Sequence, residues 1–465
     1  MTMTTETDAA ATAELSVLDR LALDLDGRLV LPGEPDFEQA RAAWQLAVDQ
    51  RPVAVVLAES ARDIVTSIEA ARELGVQVAP QGTGHNAAPL GDLSGTILIK
   101  TSALRAVQVD PVARVVRAEA GALWMDVTAA AAEHGLAALA GSAGDVGVVG
   151  YTLGGGLSWM GRSHGLAANT VVAFEVVTAD GQARRVDAEH EPDLFWALRG
   201  GGGSVAVVTA IELRLFPVTE LYAGTLFFPI ERTEEVLQTW LAWTSLVPDS
   251  VTSVGRVLRF PPLPDLPPFL AGQSFVVVEA ACQLSAEEAD RLLEPLRALG
   301  PAMDTFHPTP MTELALLHMD PPGPVPAHGD GGLLGPIGPS GVAALAGVSE
   351  RAGGALLSLE LRHLGGALRP GRAEGGAVDG IDADFALFAV GVTPTPEAMA
   401  ATRAAVTAVQ HAMAPWSTGR AYANFAELTK APDALWGSAA GRLAEIKATY
   451  DPSDLIRANH RPGSR

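Results

Sequence analysis

The sequence predicts an α+β protein with two domains, and three observations support this fold class. The chain has 465 residues, more than one compact hydrophobic core usually holds. Its apolar fraction is 48%, enough for large buried cores. Strand and helix patterns occur throughout, and the pattern changes near Phe216–Pro217. We therefore expect an N-terminal mixed domain, a middle domain of strands and helices, and a C-terminal tail.

The composition argues against several classes of function. Lysine and arginine number 32 against 54 acidic residues, a formal net charge of −22, so nucleic acid and anionic membrane surfaces are poor partners. No run of about 18 apolar residues occurs, and the N-terminus has neither a secretory nor an Arg-rich transit pattern, so we expect no membrane span and a cytoplasmic location. The single cysteine, Cys282, excludes an internal disulfide and has the setting of a buried strand residue.

The first elements are predicted to form a strand–helix–strand unit that leads into a glycine loop. Residues 36–52 have helical spacing, and this helix is expected to stop at Pro52. The strand "VAVVLAES" is followed by a helix with Ser60 as its N-cap and Gly75 at its end. The strand "VQVAP" then delivers the chain into the first loop.

Further elements follow on both sides of Phe216–Pro217. Before it we predict the strand "GTILIKT", the hairpins "AVQVDPVARVVRAEAG" and "VVAFEVVTADGQARRVDA", and the helix "LWMDVTAAAAEHG". After it we predict the strand "LYAGTLFFP", a helix from about Thr233, strands at 252–260 and 274–284, the helix "SAEEADRLLEPLRALG", the strands "ALLSLELRHLG" and "DADFALFAVGV", and a helix from about Pro396. The stretch Met319–Gly341 is dense in proline and glycine and is predicted to be a long ordered loop or lid.

The opening loop, which starts at Gln81, matches the G-x-G-x-x-A form of the dinucleotide fingerprint at Gly82, Gly84 and Ala87. We interpret this match as false, because the fingerprint needs a helix to begin in the loop and the proline and glycines that follow prevent one. Consecutive backbone amides of the loop remain able to bind phosphate or a ring edge without a helix.

Two more glycine-rich loops lie in the same part of the chain. The second loop, residues 140–169, carries nine glycines, and the third places four in a row at 200–203. Each ordered glycine costs about 0.5–1 kcal/mol relative to alanine, so a close approach to the backbone must justify them. A single loop of this kind is typical of a tight turn, whereas three in one domain predict a large, flat, phosphate-bearing ligand between layers.

The motifs "QGTGHN", "AGDVGVVGYTLGGGLSWMGRSHGLAAN", "HEPDLFWALRGGGGSVAVVTAIELRLFPV", "YANF" and "YDPSDLIRAN" resemble the FAD-linked oxidases of the vanillyl-alcohol oxidase / p-cresol methylhydroxylase superfamily, and within it the berberine-bridge-enzyme-like group. The resemblance implies a two-subdomain FAD-binding domain of the p-cresol methylhydroxylase type over residues 1–218. It implies a substrate domain with an antiparallel sheet covered by helices over residues 219–410. The segment 411–465 is then expected to return to the FAD-binding domain.

The resemblance also implies that FAD is bonded covalently to His85, the alternative being a hydrogen-bonded loop histidine. The family's second anchor, a cysteine, falls on Ala143, so a single attachment is expected. Gln81 and Thr83 replace the motif's arginine and second glycine, which removes a charge near the flavin. The residues expected to bind the cofactor are His85, Gln81, Gly82, Thr83, Gly84, Asn86, Ala143, Gly144, Val146, Gly147, Gly150, Tyr151, Gly154, Gly155, Val207 and Asn424.

The resemblance implies hydride transfer from a substrate C–H to the flavin, with a base that removes the proton of a neighbouring O–H or N–H. Alternation along "LLSLELRHLGG" places Glu360 and Arg362 on one strand face, so Glu360 is a candidate base and Arg362 a candidate partner for an acidic substrate. The alternative is an exposed polar sheet face. Tyr422 is a competing base, and Phe425 lies where relatives often carry a tyrosine.

The expected function is therefore an FAD-dependent oxidase that acts on a small molecule and uses O2 as acceptor. Val146 lies where the resembling family controls access of oxygen to the flavin, and valine there is typical of oxidases; the alternative is a filler residue between two glycines. A flavin dehydrogenase with another electron acceptor and a non-catalytic flavin-binding protein remain alternatives. The substrate stays open among sugars, alkaloids, polyketide alcohols and amines, and the oligomeric state is expected to be monomer or homodimer.

Overall fold

The computed structural model describes residues 16–264, 266–372 and 375–463, and the strands of this part of the chain form three sheets. Within these ranges, no helix is both long enough and apolar enough to cross a membrane. The structure confirms the α+β fold class, with mixed and antiparallel sheets packed against helices.

The first sheet holds the strand that enters the opening loop. Its region comprises α1 (Val17–Asp24), β1 (Arg28–Val30), α2 (Phe37–Arg41), β2 (Ala54–Leu57), α3 (Ala61–Leu74), β3 (Gln77–Gln81) and β4 (Thr96–Lys100). The strand order is β1-β2-β4-β3, with β2 and β3 both parallel to β4. Helix α3 has the predicted ends: Ser60 accepts a hydrogen bond from Asp63 N, and Gly75 adopts φ 68°.

The helix predicted over residues 36–52 is wrong beyond Arg41, because α2 ends there and the chain continues without regular secondary structure. The backbone amides of Trp44 and Gln45 donate to the carbonyls of Thr83 and Gly84 at 2.9 and 3.3 Å. Pairing with the opening loop therefore replaces the helical hydrogen bonds that the sequence spacing favoured.

The second sheet carries the other two glycine loops. Its region comprises β5 (Val107–Asp110), β6 (Val115–Glu119), α4 (Trp124–Ala132), α5 (Val148–Leu153), α6 (Gly161–His164), β7 (Val171–Val177), β8 (Ala183–Val186), α7 (Pro192–Leu198) and β9 (Val207–Arg214). The order is β5-β6-β9-β7-β8, and all pairs are antiparallel. The second loop encloses the short helix α5, and Tyr151 of this helix packs edge-on against the buried Trp124 with 5.2 Å between ring centroids.

The third sheet is antiparallel and is covered by helices on one face. Its region comprises β10 (Glu220–Pro229), α8 (Thr233–Thr244), β11 (Val251–Arg259), β12 (Ser274–Cys282), α9 (Ala286–Arg297), β13 (Met303–Asp304), β14 (His307–Pro310), β15 (Ala327–Leu334), α10 (Gly338–Ala352), β16 (Ser358–His363), β17 (Phe385–Val392) and α11 (Pro396–Met413). The order is β13-β10-β12-β11-β16-β17-β15, and β14 also pairs with β10. Side chains from α8, α9, α10 and α11 pack with this sheet into one core.

The loop predicted over Met319–Gly341 is wrong in its second half, because β15 and the start of α10 occupy it. Two glycines of β15 allow close packing: a Cβ on Gly331 would lie 2.9 Å from the Cβ of Phe425, and one on Gly329 would lie 2.9 Å from the ring of Phe388. Residues 319–326 remain a connection without regular structure, except for the isolated bridge between Val325 and Gln45.

The tail contains α12 (Pro432–Trp436) and α13 (Ala439–Tyr450) and contacts the first two sheet regions. Lys447 Nζ donates to Ser204 O at 2.8 Å, and Val78 N donates to Leu455 O at 2.9 Å. Leu443 also belongs to the core of the second sheet. The domain boundaries at residues 218 and 410 stay a prediction.

Candidate cofactor and substrate site

A cavity of about 420 Å³ lies where the opening loop, the second loop, the third sheet and the tail meet. Most of the residues predicted as site residues line it: Gln81, Gly82, Thr83, Gly84, His85, Asn86, Ala143, Val146, Gly147, Gly150, Tyr151, Gly154, Glu360, Tyr422 and Asn424. Segments about 340 residues apart in the chain therefore share one wall.

Three predicted cofactor residues do not line the cavity. Val207 is fully buried in the core of the first sheet, whereas its neighbours Ala206 and Val208 line the cavity, because successive strand residues face opposite sides. The Cβ direction of Gly144 faces Ala315 and Met125 at 3.4 Å, and that of Gly155 faces the ring of Tyr422 at 3.4 Å. Both contacts are ordinary, so packing does not require glycine at either position, but the φ of 111° at Gly155 favours it there.

His85 is held in a small polar and aromatic cluster beside the cavity. Its ring stacks on Trp44 with 4.1 Å between centroids, and Nδ1 lies 2.7 Å from Thr83 Oγ1. Trp44 Nε1 donates to Asp145 at 2.7 Å, and the other oxygen of that carboxylate lies 3.5 Å from His85 Nε2. Burial raises the pKa of Asp145, but His85 and Trp44 outweigh burial and the pKa is lowered. The Thr83 that replaces a motif glycine thus orients the ring.

A buried lysine lies beneath the opening loop where the motif's arginine is missing. Lys100 is the register partner of Gln81 in the neighbouring strand, and its ammonium donates to Gln81 Oε1 at 2.7 Å and to Ala42 O at 2.8 Å. Gln81 in turn donates to Gln50 at 3.0 Å. Burial lowers the pKa of Lys100 to about 8. The positive charge expected to be lost at Gln81 is therefore present one side chain further from the cavity.

The lining fits a flat ring system with a phosphate chain. A Cβ on Gly150 would meet no atom within 4 Å, and one on Gly82 or Gly147 would make only ordinary contacts, so packing of the protein alone does not require glycine there. Buried polar atoms without a hydrogen-bond partner also face this region, namely His85 Nε2, Asn86 Oδ1 and His460 Nε2. Close approach to the backbone and unpaired polar atoms are what a bound FAD requires.

The tail turn Ala423–Phe425 inserts side chains into the second loop. Asn424 Nδ2 donates to Tyr151 O at 3.0 Å and to Tyr422 Oη at 2.9 Å, and a Cβ on Gly154 would lie 1.8 Å from Asn424 Oδ1. Tyr422 Oη also accepts from the amides of Gly156 and Leu157 at 3.1 and 3.0 Å. Gly154 is glycine because Asn424 fills its side-chain space.

These contacts disfavour Tyr422 as a base. Burial raises its pKa well above the ordinary tyrosine value, although the amide of Leu157 and the charge of Arg362 act in the opposite direction. With three donors around its oxygen, the hydroxyl is committed to holding the loop. Burial likewise raises the pKa of Tyr151, whose hydroxyl donates to Leu139 O at 3.2 Å.

The third sheet forms the floor of the cavity. The half of this floor on β11 and β16 carries charged side chains. Glu360 Oε1 accepts from Arg362 Nε at 2.7 Å, and Glu360 Oε2 lies 2.8 Å from His318 Nε2. His318 Nδ1 donates to Glu279 at 2.5 Å, and Arg256 donates to Glu279 at 3.3 Å and to the carbonyl of His318 at 2.5 Å. The network is buried: Glu279, Glu360, His318 and Arg256 are each 3% exposed or less.

The charges of this network are compensated internally. Burial raises the pKa of Glu360, but Arg362 and His318 outweigh it and hold that pKa far below its ordinary value. Burial lowers the pKa of Arg362, but Glu360 outweighs it and the pKa is raised. Arg362 is therefore paired with Glu360 and is not the free cation that recognition of an acidic substrate would need.

The other half of the floor, on β17 and β15, is apolar. Phe388, Val390 and Val392 line the cavity with Ala327 of the adjoining strand, and Phe425 of the tail packs on Phe388 with 4.8 Å between ring centroids. The guanidinium of Arg362 lies 4.9 Å from the centre of the Phe425 ring. A substrate on this floor meets charged groups at one end and hydrocarbon at the other.

Sequence reasoning missed His318, Glu279, Lys100, Glu427 and His460. His318 precedes a Pro/Gly-rich stretch and Glu279 lies in an apolar strand, so no local pattern marks either one. A charged residue inside such a strand was the available signal, because buried charges need partners. Glu427 accepts from Gly329 N at 2.8 Å, and burial raises its pKa to about 7.

Comparison with known proteins gives two family matches. Residues 52–187 match the FAD binding domain family, and residues 421–460 match the berberine and berberine-like family. The two matches cover the opening and second loops and the tail turn, the segments that meet at the cavity.

Similar proteins match part or nearly all of the chain. An uncharacterised FAD-linked oxidoreductase of Bacillus subtilis (strain 168) is 26% identical over 446 residues, 93% of this chain and 96% of that protein. The (R)-6-hydroxynicotine oxidase of Paenarthrobacter nicotinovorans is 29% identical over 194 residues, 42% of either chain. The solved structure of BBE-like 1 from Physcomitrella patens has a TM-score of 0.83 and 19% identity, and covers 97% of this chain and 99% of its own. At that identity the likeness shows the shared fold.

Proposed function

Since this chain belongs to the FAD-linked oxidoreductases of the berberine-bridge-enzyme-like group, we propose that it oxidises a small organic substrate at a C–H next to a hydroxyl or amine. Bound FAD would supply the acceptor for the hydride and pass the electrons to O2, giving H2O2. The chain holds FAD in the glycine loops, presents the substrate from the third sheet and accepts its proton there.

The observation that carries the proposal is the setting of His85 in the glycine-loop wall of the cavity. Nδ1 is hydrogen-bonded to Thr83, whereas Nε2 has no hydrogen-bond partner, so Nε2 is available for covalent attachment of FAD. Attachment would replace one C–H bond of the flavin 8α-methyl group and the N–H bond of the imidazole by a C–N bond, and O2 would take these two hydrogens as H2O2. Ala143 offers no second nucleophile.

Mass spectrometry of the acid-denatured protein tests the attachment. We expect the mass of the polypeptide plus one FAD, and for His85→Ala the mass of the polypeptide alone. The native His85→Ala variant should still be yellow, because the loops bind FAD without the bond. A wild-type mass equal to the bare chain would exclude covalent attachment and leave the rest of the proposal standing.

Val146 supports oxygen as the electron acceptor. It lines the cavity and is half-buried at the start of the Gly147 turn. Oxygen is small, so one added methylene at this position decides whether a dry space beside the ring admits it. We expect Val146→Leu to slow reoxidation of reduced FAD in air-saturated buffer, with substrate reduction unchanged. Slow reoxidation of the wild type would favour the dehydrogenase alternative.

The substrate is identified by anaerobic reduction of bound FAD, followed by absorbance, over a panel of alcohols, sugars and cyclic amines. The apolar half of the floor favours compounds that carry a single hydroxyl or amine on a hydrocarbon ring over fully hydroxylated sugars. Reduction by none of these classes would favour the non-catalytic flavin-binding alternative.

A further inference from the structure

We infer that the proton leaving the substrate passes from Glu360 to His318, and that Glu279 positions His318 from outside the cavity. The inference deepens the proposed oxidase function and rests on it. It assigns a proton acceptor to a chain in which Tyr422 is committed to the second loop and Phe425 has no hydroxyl.

The geometry gives each residue a separate part. Glu360 and His318 both line the cavity, whereas Glu279 does not and is fully buried behind them. The 2.5 Å hydrogen bond from His318 Nδ1 to Glu279 fixes the ring and its tautomer, so Nε2 points at Glu360. Trp159 packs against the imidazole edge-on with 6.0 Å between centroids.

The Nε2 atom has a partner in either protonation state. When neutral, it accepts from Arg362 Nη2, which lies 3.0 Å away. When protonated, it donates to Glu360 Oε2 at 2.8 Å. His318 therefore takes up and releases a proton without moving its ring, which is what a proton relay needs.

The substrate O–H or N–H bond breaks, its proton goes to Glu360 Oε2, and Glu360 passes the proton on to His318 Nε2. The electron pair left on the substrate forms the C=O or C=N bond as the neighbouring C–H leaves as hydride. Glu360 is a carboxylate before and after the transfer, in keeping with its low pKa. His318 then releases the proton and returns to its neutral form, so that in the net reaction one hydride and one proton reduce O2 to H2O2.

Charged groups face His318 from every strand that packs against it. Glu279 lies on β12, Arg256 on β11, Glu360 and Arg362 on β16, and Asp320 follows in its own loop. Burial and Arg256 lower the pKa of His318, but the three carboxylates outweigh them and the pKa is raised. Only neutral His318 accepts a proton, so flavin reduction should accelerate as the pH rises through a midpoint above the ordinary histidine value of 6.5.

Nuclear magnetic resonance of the holoenzyme labelled with 15N-histidine measures that midpoint without any substrate. His318→Asn identifies the signal by its loss. We expect Glu279→Gln to lower the midpoint, because a carboxylate is removed, and Glu279→Asp to keep it near the wild-type value. Glu360→Gln removes the carboxylate beside Nε2 of His318 and should also lower the midpoint. It serves as the second variant if Glu279→Gln binds no FAD. A midpoint unchanged in both glutamine variants would overturn the inference.

The pH profile of anaerobic flavin reduction is the second readout, with the compound of the panel that reduces the wild type fastest. A positioned base typically contributes 10²–10⁴-fold, so we expect His318→Asn to slow reduction at least 100-fold and to lose the rise with pH. Glu279→Gln should shift the rise to lower pH, as in the resonance measurement. A rise that persists in His318→Asn would overturn the relay while the oxidase function stands; a wild type that no compound reduces would instead overturn the function.

Discussion

Replacement of Lys100 by methionine tests how the opening loop is held beneath the cofactor. Lys100 is 9% exposed, and its ammonium donates to Gln81 and to the carbonyl of Ala42. Methionine keeps most of the stem and removes the charge and both hydrogen bonds. Loss of the hydrogen bonds changes the unfolding free energy by an amount that does not depend on pH. Loss of the charge changes it by an amount that does depend on pH.

The size of the pH-dependent part follows from the pKa of Lys100, which burial lowers from 10.5 to about 8. This difference corresponds to about 3 kcal/mol. Between pH 8 and 10.5 the unfolded chain binds more protons at this residue than the folded chain, so folding becomes more favourable as the pH rises. From pH 7 to 9.5 the wild type should gain about 2 kcal/mol of unfolding free energy relative to Lys100→Met.

Urea unfolding of FAD-loaded protein at several values between pH 7 and 9.5 measures this difference, with equal FAD content verified by absorbance. Lys100→Arg is the matched control, because arginine stays charged throughout and should not show the gain. If the unfolding free energy of the wild type relative to Lys100→Met does not change with pH, the ammonium is not destabilised by burial. If the wild type loses unfolding free energy relative to Lys100→Met as the pH rises, the charge stabilises the loop.

Three further outcomes are expected. Gly154→Ala in a His85→Ala background should weaken FAD binding at least tenfold, measured by flavin fluorescence, because the added Cβ would lie 1.8 Å from Asn424 Oδ1. An unchanged affinity would mean that the tail turn moves aside without affecting the cofactor site. Glu427→Gln should become more stable relative to the wild type as the pH rises from about 4.5 to 7, in thermal unfolding, because burial raises the pKa of Glu427 to about 7 and the wild type loses stability over that window. Lys447→Met should cost about 3–5 kcal/mol in urea unfolding, because the fully buried carboxylate of Asp451 loses its cation and keeps hydrogen bonds from neutral groups; a cost below about 1 kcal/mol would contradict this.

Local sequence signals predicted the elements that depend on local physics. Helix α3 begins and ends where Ser60 and Gly75 indicate, because a cap and a left-handed terminus are decided within a few residues. The helix predicted through Pro52 failed for the opposite reason: the amides after Arg41 bind carbonyls of the opening loop, some 40 residues further along the chain.

The sequence likewise predicted the part of the site that local motifs mark and not the part that depends on distant contacts. Glycine-rich loops marked the cofactor wall, and Val207 was wrong by one residue, because motif likeness does not fix which side of a strand faces the cavity. His318 and Glu279 were missed, because they form part of the site only through hydrogen bonds that join three distant chain segments, those of His318, Glu279 and Glu360. Lys100 was missed because only the strand register with Gln81 places its charge beneath the loop.

Docking of the tail on the opening and second loops is coupled to cofactor binding. Asn424 fills the side-chain space of Gly154, and Asn459 donates to the carbonyl of Asn86 in the opening loop. Both cofactor loops are thus held by residues near the end of the chain, through contacts that exist only when the tail is docked. A ligand that binds the docked state alone stabilises it by mass action, so FAD and the tail must favour each other to the same extent. Amides of residues 421–460 should therefore exchange hydrogen more slowly in the FAD-loaded protein than in the apoprotein, and equal exchange rates would show that the loops are formed without the tail.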